Sequence, residues 1–273
     1  MAKVAFQGER GAFSEDAVIR FFSDAELIPC RSLKQVFEAV TKDEADFGVV
    51  PIENSQAGSI NETYDLLLKH DLNIYAELDL RVNHCLLALP GEGLTSIKTV
   101  YSHPQALAQC EQFLSKMGVE IVPSYDTAGS AKLISEKKLT NCAAVASKRV
   151  AQIYQMQILA EDIQTIKDNY TKFFAISKKK AKRTAKSKTS IIFATKNVPG
   201  ALYNCLGAFA TRGINLTKLE SRPSKDKPWE YIFYVDFEGH LEDDVCKQAL
   251  ADLKKKTSFI KILGSYPKAK ASA

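Results

Sequence analysis

A basic break at residues 178–188 constrains this chain more than any other feature. It holds seven lysines and arginines, no acidic residue, and too few apolar side chains to form a buried element. It divides the chain into two differently patterned parts and reads as a solvated tether. Upstream, strand and helix signals alternate. Leu33, Val36, Phe37 and Val40 fall at the i, i+3, i+4, i+7 spacing of a one-sided helix, and Phe47–Ile52 then reads as a buried strand. Similar reading gives strands at 4–6, 72–80, 84–89, 100–101, 119–122 and 142–146, and helices at 13–22, 61–69, 104–117, 127–136 and 147–154.

Such alternation predicts parallel sheets with right-handed crossovers. Two such units predict two lobes, 1–80 with 155–177 and 81–154, around a cleft fed by loops at strand ends. Beyond the break the order changes to strand 190–195, helix 199–212, strands 216–221 and 230–237, helix 242–255 and strand 259–266. This βαββαβ order is that of a ferredoxin-like split unit. The expected organisation is therefore a two-lobed α/β domain (1–177), a linker (178–188), an α+β domain (189–267) and a tail (268–273).

Charge and composition exclude several classes of function. The seven basic residues of the linker exceed the net charge of +5, so the remainder is not basic, and aromatic residues are not interleaved with them. A nucleic-acid surface is not indicated. No apolar run approaches the ~20 residues that span a bilayer, and the N-terminus enters a strand without a secretory segment, so a cytoplasmic protein that does not bind membranes is expected. The six cysteines include no CxxC pair and the four histidines show no ligand spacing, so no metal or cofactor is expected.

Four loops at predicted strand ends carry small and neutral polar residues. The first runs from Gly8 to Ser14 ahead of a helix, whose N-terminus suits a carboxylate. The second contains Glu53, Asn54, Ser55 and Ser59; polar groups directly after a buried strand are costly unless paired, and a cleft is their natural place. The third contains His103 and Gln105, and the fourth Thr127 and Ser130. Each also has a plain structural reading as a turn or helix cap. The first domain then ends on Asn169-Tyr170-Thr171-Lys172-Phe173-Phe174, a hydroxyl beside a cation and two aromatic rings.

In this order and spacing the loops and the Asn169–Phe173 segment closely resemble prephenate dehydratase. Val198-Pro199-Gly200-Ala201-Leu202 and Glu220-Ser221-Arg222-Pro223 resemble the GALV-type and ESRP motifs of the ACT domain that follows in that family. The resemblance implies a two-lobed fold like type II periplasmic binding proteins, followed by the ACT domain. It implies decarboxylative dehydration of prephenate to phenylpyruvate, without metal or cofactor, in phenylalanine biosynthesis. Thr171 would donate to the departing hydroxyl, Lys172 would hold a substrate carboxylate, and Phe173 would form an apolar wall or support the strand as a core aromatic. Glu53, Asn54, Ser55, Ser59 and Asn169 would line the cleft, with Ser14, His103, Gln105, Thr127 and Ser130 opposite.

The family's usual motif is Thr-Arg-Phe. Here a lysine point charge at Lys172 replaces the planar arginine fork, and restoring arginine is expected to keep or improve turnover. In the ACT domain, Gly200, Ala201, Leu202, Asn215, Leu216, Glu220 and Ser221 would bind L-phenylalanine as feedback inhibitor between subunits of a homodimer or tetramer. The first strand starts at residue 3 and the last ends near residue 266, which leaves no segment for a fused chorismate mutase, so a monofunctional enzyme is expected. The alternatives are arogenate dehydratase, which performs the same chemistry on the transaminated substrate, and a non-catalytic amino-acid sensor.

Overall fold

The computed structural model describes residues 1–224 and 230–269; residues 270–273 of the tail lie outside the described residues. In chain order the first elements are β1 (Ala2–Gln7), α1 (Phe13–Phe21), β2 (Ala25–Cys30), α2 (Leu33–Thr41), β3 (Phe47–Asn54), β4 (Gly58–Ser59), α3 (Asn61–Lys69) and β5 (Asn73–Arg81). Next come β6 (Cys85–Ala88), β7 (Thr99–Ser102), α4 (Pro104–Gln109), α5 (Glu111–Met117), β8 (Glu120–Pro123), α6 (Thr127–Lys137), β9 (Cys142–Ala146), α7 (Lys148–Ile153) and β10 (Gln157–Ala160). After β11 (Tyr170–Ser177) follow β12 (Ser187–Ala194), α8 (Ala201–Ala210), β13 (Leu216–Pro223), β14 (Tyr231–Glu238), α9 (Asp244–Lys256) and β15 (Phe259–Pro267).

The strands form three sheets, ordered β2-β1-β3-β11-β5 with β4 beside β3, β10-β6-β9-β7-β8, and β13-β14-β12-β15. β1 runs parallel to β2 and β3, as strand–helix alternation requires. The second sheet departs from the all-parallel expectation. β7 is parallel to β8 and β9, but β6 lies antiparallel to both β9 and β10. The chain crosses from β9 to β10 through α7 while β6 is inserted between them. β2 and β10, absent from the sequence reading, are both edge strands without clean apolar alternation; β2 even carries Pro29, which an edge tolerates.

One expected helix is broken. Residues 104–117 form α4 and α5 with Cys110 between them at φ −104°, ψ 11°. At the break the Gln109 carbonyl accepts the Thr165 N–H at 2.8 Å, a bond from outside the helix. The interruption thereby anchors Gln109, whose side chain matters below.

The chain separates into two compact units: Met1–Thr63 with Leu78–Phe173, and Tyr64–Glu77 with the part from Phe174 onward. In the first, apolar cores lie on both sides of the second sheet, one around Leu87, Ala144 and Ile134, the other around Leu86, Val145 and Leu114.

In the second unit β12–β15 and α8–α9 form the expected βαββαβ fold. Period-two alternation sends Ile191, Phe193, Val235 and Phe237 toward the helices and Lys188, Ser190, Tyr234 and Asp236 to the other face. That second face meets segment 64–77: Tyr234 Oη donates to the Tyr64 carbonyl at 2.9 Å, and Lys261 Nζ donates to the carbonyls of Leu67, Leu68 and His70, capping the end of α3. Gly264, at φ +138°, passes so close that a Cβ would lie 2.7 Å from the Ile74 carbonyl oxygen. The linker correction follows. Lys178–Lys180 are exposed, but Lys188 is not part of a solvated tether: it is 3% exposed within β12, paired with Glu77 and Asp236.

Candidate active site

A cavity of about 190 Å³ opens within the first unit, with room for one small molecule rather than a large ligand. Thr171, Asn54, His84 and Gln109 form one wall, and Gly8, Ser14, Tyr125 and Thr127 lie elsewhere in its lining. β3 and β11 are neighbours in their sheet, so Asn54 at the end of one strand meets Thr171 at the start of the other, 117 residues later.

The hydrogen bonds in this wall form a directed chain. Asn54 Oδ1 accepts from the backbone N–H groups of Gln56 and Ala57, each at 3.0 Å, and from Gln109 Nε2 at 3.3 Å. Backbone N–H groups only donate, so they decide which end of the amide faces them. Asn54 Nδ2 must therefore face the other way, toward Asn169 Oδ1 (2.8 Å), the Tyr170 carbonyl (3.1 Å) and Thr171 Oγ1 (3.0 Å). Thr171 consequently accepts from Asn54, and its own hydroxyl hydrogen is left to point elsewhere. Gln109 Oε1 accepts from Asn169 Nδ2 at 3.0 Å and faces His84 Nε2 at 2.8 Å, which sets the His84 tautomer as Nε2–H. His84 Nδ1 is then a bare acceptor, buried and without a partner among the described residues. Burial drives the His84 pKa below its ordinary value, against the opposing pull of Gln109, and keeps the ring neutral.

The opposite rim is built from loops. Gly8 sits at φ +112°, where a Cβ would meet Ala12 and Asp126; the open backbone lets the Glu9 N–H reach Asp126 Oδ2 at 2.8 Å. Glu9 in turn pairs with Lys132 at 2.9 Å and accepts from Tyr125 Oη at 3.0 Å. Asp126 caps α6 through the Ala128 N–H.

The sequence-expected residues divide around this cavity. Ser14, Asn54, His103, Gln105, Thr127 and Thr171 line it together. Asn169 lies behind, orienting Asn54 and Gln109. Ser55 exchanges hydrogen bonds with the Tyr170 backbone, and Glu53 and Ser59 pair across β3 and β4, so these three hold the strands rather than line the cavity. Ser130 is fully buried and bonds the Asp126 carbonyl within its own helix.

Lys172 departs from expectation, and Phe173 takes the strand-supporting one of its two expected places. Successive strand residues point to opposite faces, so with Thr171 in the cavity Lys172 turns away, its Nζ 3.6 Å from Asp79. Phe173 is 2% exposed, a core aromatic. Sequence reading missed His84, Gln109 and Arg31. His84 and Gln109 sit in apolar stretches with no local signal, and Arg31 looks like an ordinary loop cation.

Residues 4–181 match the family model for prephenate dehydratase, and residues 189–255 match that for the ACT domain. The chain belongs to the prephenate dehydratase family. It is 45% identical over 276 residues to arogenate dehydratase/prephenate dehydratase 2, chloroplastic, of Arabidopsis thaliana, a match covering 97% of this chain and 72% of that protein. Among solved structures it resembles the prephenate dehydratase of Arthrobacter aurescens in complex with L-Phe, with a TM-score of 0.89, 33% identity, and coverage of 97% and 90% of the two chains. It is equally similar to a structure described as GqqA, a novel type of quorum quenching acylase, with a TM-score of 0.89, 33% identity and 98% coverage of each chain. The mixed α/β fold with a C-terminal ACT domain is that of the prephenate dehydratase family. No helix among the described residues is long and apolar enough to cross a membrane.

Proposed function

We propose that the chain converts prephenate to phenylpyruvate, water and CO2. The ring carboxylate leaves as CO2, its bonding electrons enter the ring, and the ring C–O bond breaks as the departing hydroxyl takes up a proton. Aromatisation drives the reaction, so the protein must position the substrate and supply a donor at the leaving oxygen. The observation that carries this reading is Thr171, whose oxygen is occupied by Asn54 while its hydrogen remains available at the cavity wall. A preorganised donor of this kind is worth about 10²–10³-fold in rate. The proton it delivers is replaced from solvent.

The same geometry serves arogenate, and the Arabidopsis relative carries both activities in its name. Prephenate is the first substrate proposed, with arogenate as the second. The ACT domain and the L-Phe complex of the Arthrobacter relative support feedback inhibition by phenylalanine in this chain. Gly200, Ala201 and Leu202 at the start of α8, Asn215 and Leu216 where β13 begins, and Glu220 and Ser221 farther along that strand are the proposed contacts, shared between the subunits of a homodimer or tetramer. The test incubates purified protein with each substrate and follows phenylpyruvate or phenylalanine, with and without added L-phenylalanine. Absence of both products would sink the dehydratase reading; undiminished turnover with phenylalanine would sink only the regulatory one.

A further inference from the structure

Arg31 brings to the cavity lining a positive charge that no described residue hydrogen-bonds or ion-pairs. It stands between β2 and α2, and its backbone is pinned there. Its N–H donates to Gln35 Oε1 at 2.8 Å, while the Gln35 N–H donates to Ser32 Oγ at 3.3 Å and caps the helix. Arg31 is exposed and forms part of the cavity lining, and no described residue hydrogen-bonds or ion-pairs with its guanidinium. Its field reaches Glu9, but that carboxyl is held below its usual range first by its bond to Lys132, with Arg31 the smallest contributor.

Every other charged or ionisable group in the lining is accounted for. Asp126 engages the N–H groups of Glu9 and Ala128. His84 and His103 are both pushed toward the neutral form by burial. Among the described residues that line the cavity, Arg31 is therefore the fixed cation. Lys172 lies on the other face of β11, beside Asp79.

Elsewhere in the lining stand Phe13 and Ser14, the first residues of the nine-residue α1, which has no side-chain cap. The Glu15 N–H is taken by the Ala12 carbonyl at 2.9 Å, so the Phe13 and Ser14 N–H groups are the ones without a helical acceptor, at the positive end of the helix dipole. His84, 2% exposed with its unpartnered Nδ1, belongs to the same lining. A guanidinium, a helix N-terminus and a buried acceptor around one small volume suit an anion that also carries a donor.

We propose that Arg31, together with the α1 N-terminus, binds a substrate carboxylate, and that it makes this cleft favour the doubly anionic keto acid over its ammonium-bearing counterpart. The proposal rests on the dehydratase reading. Arginine suits the task because its planar fork meets a carboxylate with two parallel hydrogen bonds. An ammonium on the substrate side chain would partly cancel that attraction.

The test is calorimetric titration of Thr171→Ala protein with prephenate and with arogenate, repeated after adding Arg31→Gln or Arg31→Lys. Circular dichroism checks that each variant is folded. Arg31→Gln should weaken prephenate binding by about 10- to 100-fold, the usual value of a charged hydrogen bond, and arogenate binding by less. Arg31→Lys should stay within about fivefold, since it keeps the charge. In the Thr171 parent, Arg31→Gln should raise KM in the same ratio and leave kcat within about threefold. Equal prephenate affinity with and without Arg31, in a protein whose parent turns prephenate over, would overturn the role of Arg31 and leave the dehydratase reading intact. Equal weakening for both substrates would overturn the preference. Failure of the parent to bind or convert either substrate would remove the dehydratase reading, and the proposal with it.

Discussion

Thr171 Oγ1 lies 3.0 Å from Asn54 Nδ2, and this contact decides what the threonine hydroxyl can do. Two backbone N–H groups hold the other end of the Asn54 amide, so its NH2 group must face Thr171. A hydroxyl that accepts here has its hydrogen to give to a substrate oxygen.

Removing that hydrogen should slow the chemical step and spare binding. Thr171→Ala is expected to lower kcat by about 10²–10³-fold with KM little changed, while Thr171→Ser keeps most of the activity. Steady-state kinetics on prephenate checks both. A tenfold rise in KM with kcat intact would instead make Thr171 a binding residue.

Asn54→Asp tests the direction of the network without changing its shape. One carboxylate oxygen keeps the bonds from Gln56 and Ala57. The other would face three acceptors, Asn169 Oδ1, the Tyr170 carbonyl and Thr171 Oγ1. Thr171 would then donate to the new carboxylate, and the donor would be lost to substrate. The expected outcome is a fall in kcat of at least ~10²-fold, with stability reduced by about 1–3 kcal/mol in denaturant titrations.

His84 gives the protein a pH-dependent loss of stability. Burial holds its folded pKa below the unfolded value near ~6.5. Above that pH both states are neutral and the residue contributes no slope. As pH falls below it the unfolded chain takes up a proton that the folded chain refuses, and stability drops until the folded pKa is passed. Thermal melts of the parent and of His84→Gln between about pH 7.5 and 5 should show a shallower acid decline in the variant. Parallel curves would show that His84 does not titrate differently in the two states.

Lys188 should be the most costly lysine to remove. It is 3% exposed, its Nζ 2.5 Å from Glu77 and 3.2 Å from Asp236. Burial alone would lower its pKa, but the two carboxylates outweigh that and raise it, so the amine stays charged. Lys188→Met strands two buried carboxylates and is expected to cost about 3–5 kcal/mol in chemical denaturation. The combination Glu77→Gln, Lys188→Met, Asp236→Asn should recover much of this loss, since it removes all three charges together. A loss below about 1 kcal/mol for Lys188→Met would mean that the triad is hydrated in solution.

Helices such as α2 and α3 were legible because an apolar stripe or a cap is written in neighbouring residues, and β12 to β15 because alternation and turns recur locally. The same logic failed at β6, whose antiparallel insertion depends on strands far away in sequence, and at Cys110, where a bond from Thr165 interrupts a helix that local spacing continues.

The sequence by itself determined most of the element order, the two-part organisation, the family and the place of Thr171 in its motif, because each resides in short stretches of chain. Only the tertiary structure decided which polar groups meet. Asn54 reaches Thr171 across 117 residues and Lys188 reaches Glu77 across 111. It also decided that Lys172 faces Asp79 while Arg31 faces the cavity. The reason is physical: the role of a charge or hydroxyl depends on the burial and partners that folding supplies, and adjacent residues on one strand are sent to opposite faces.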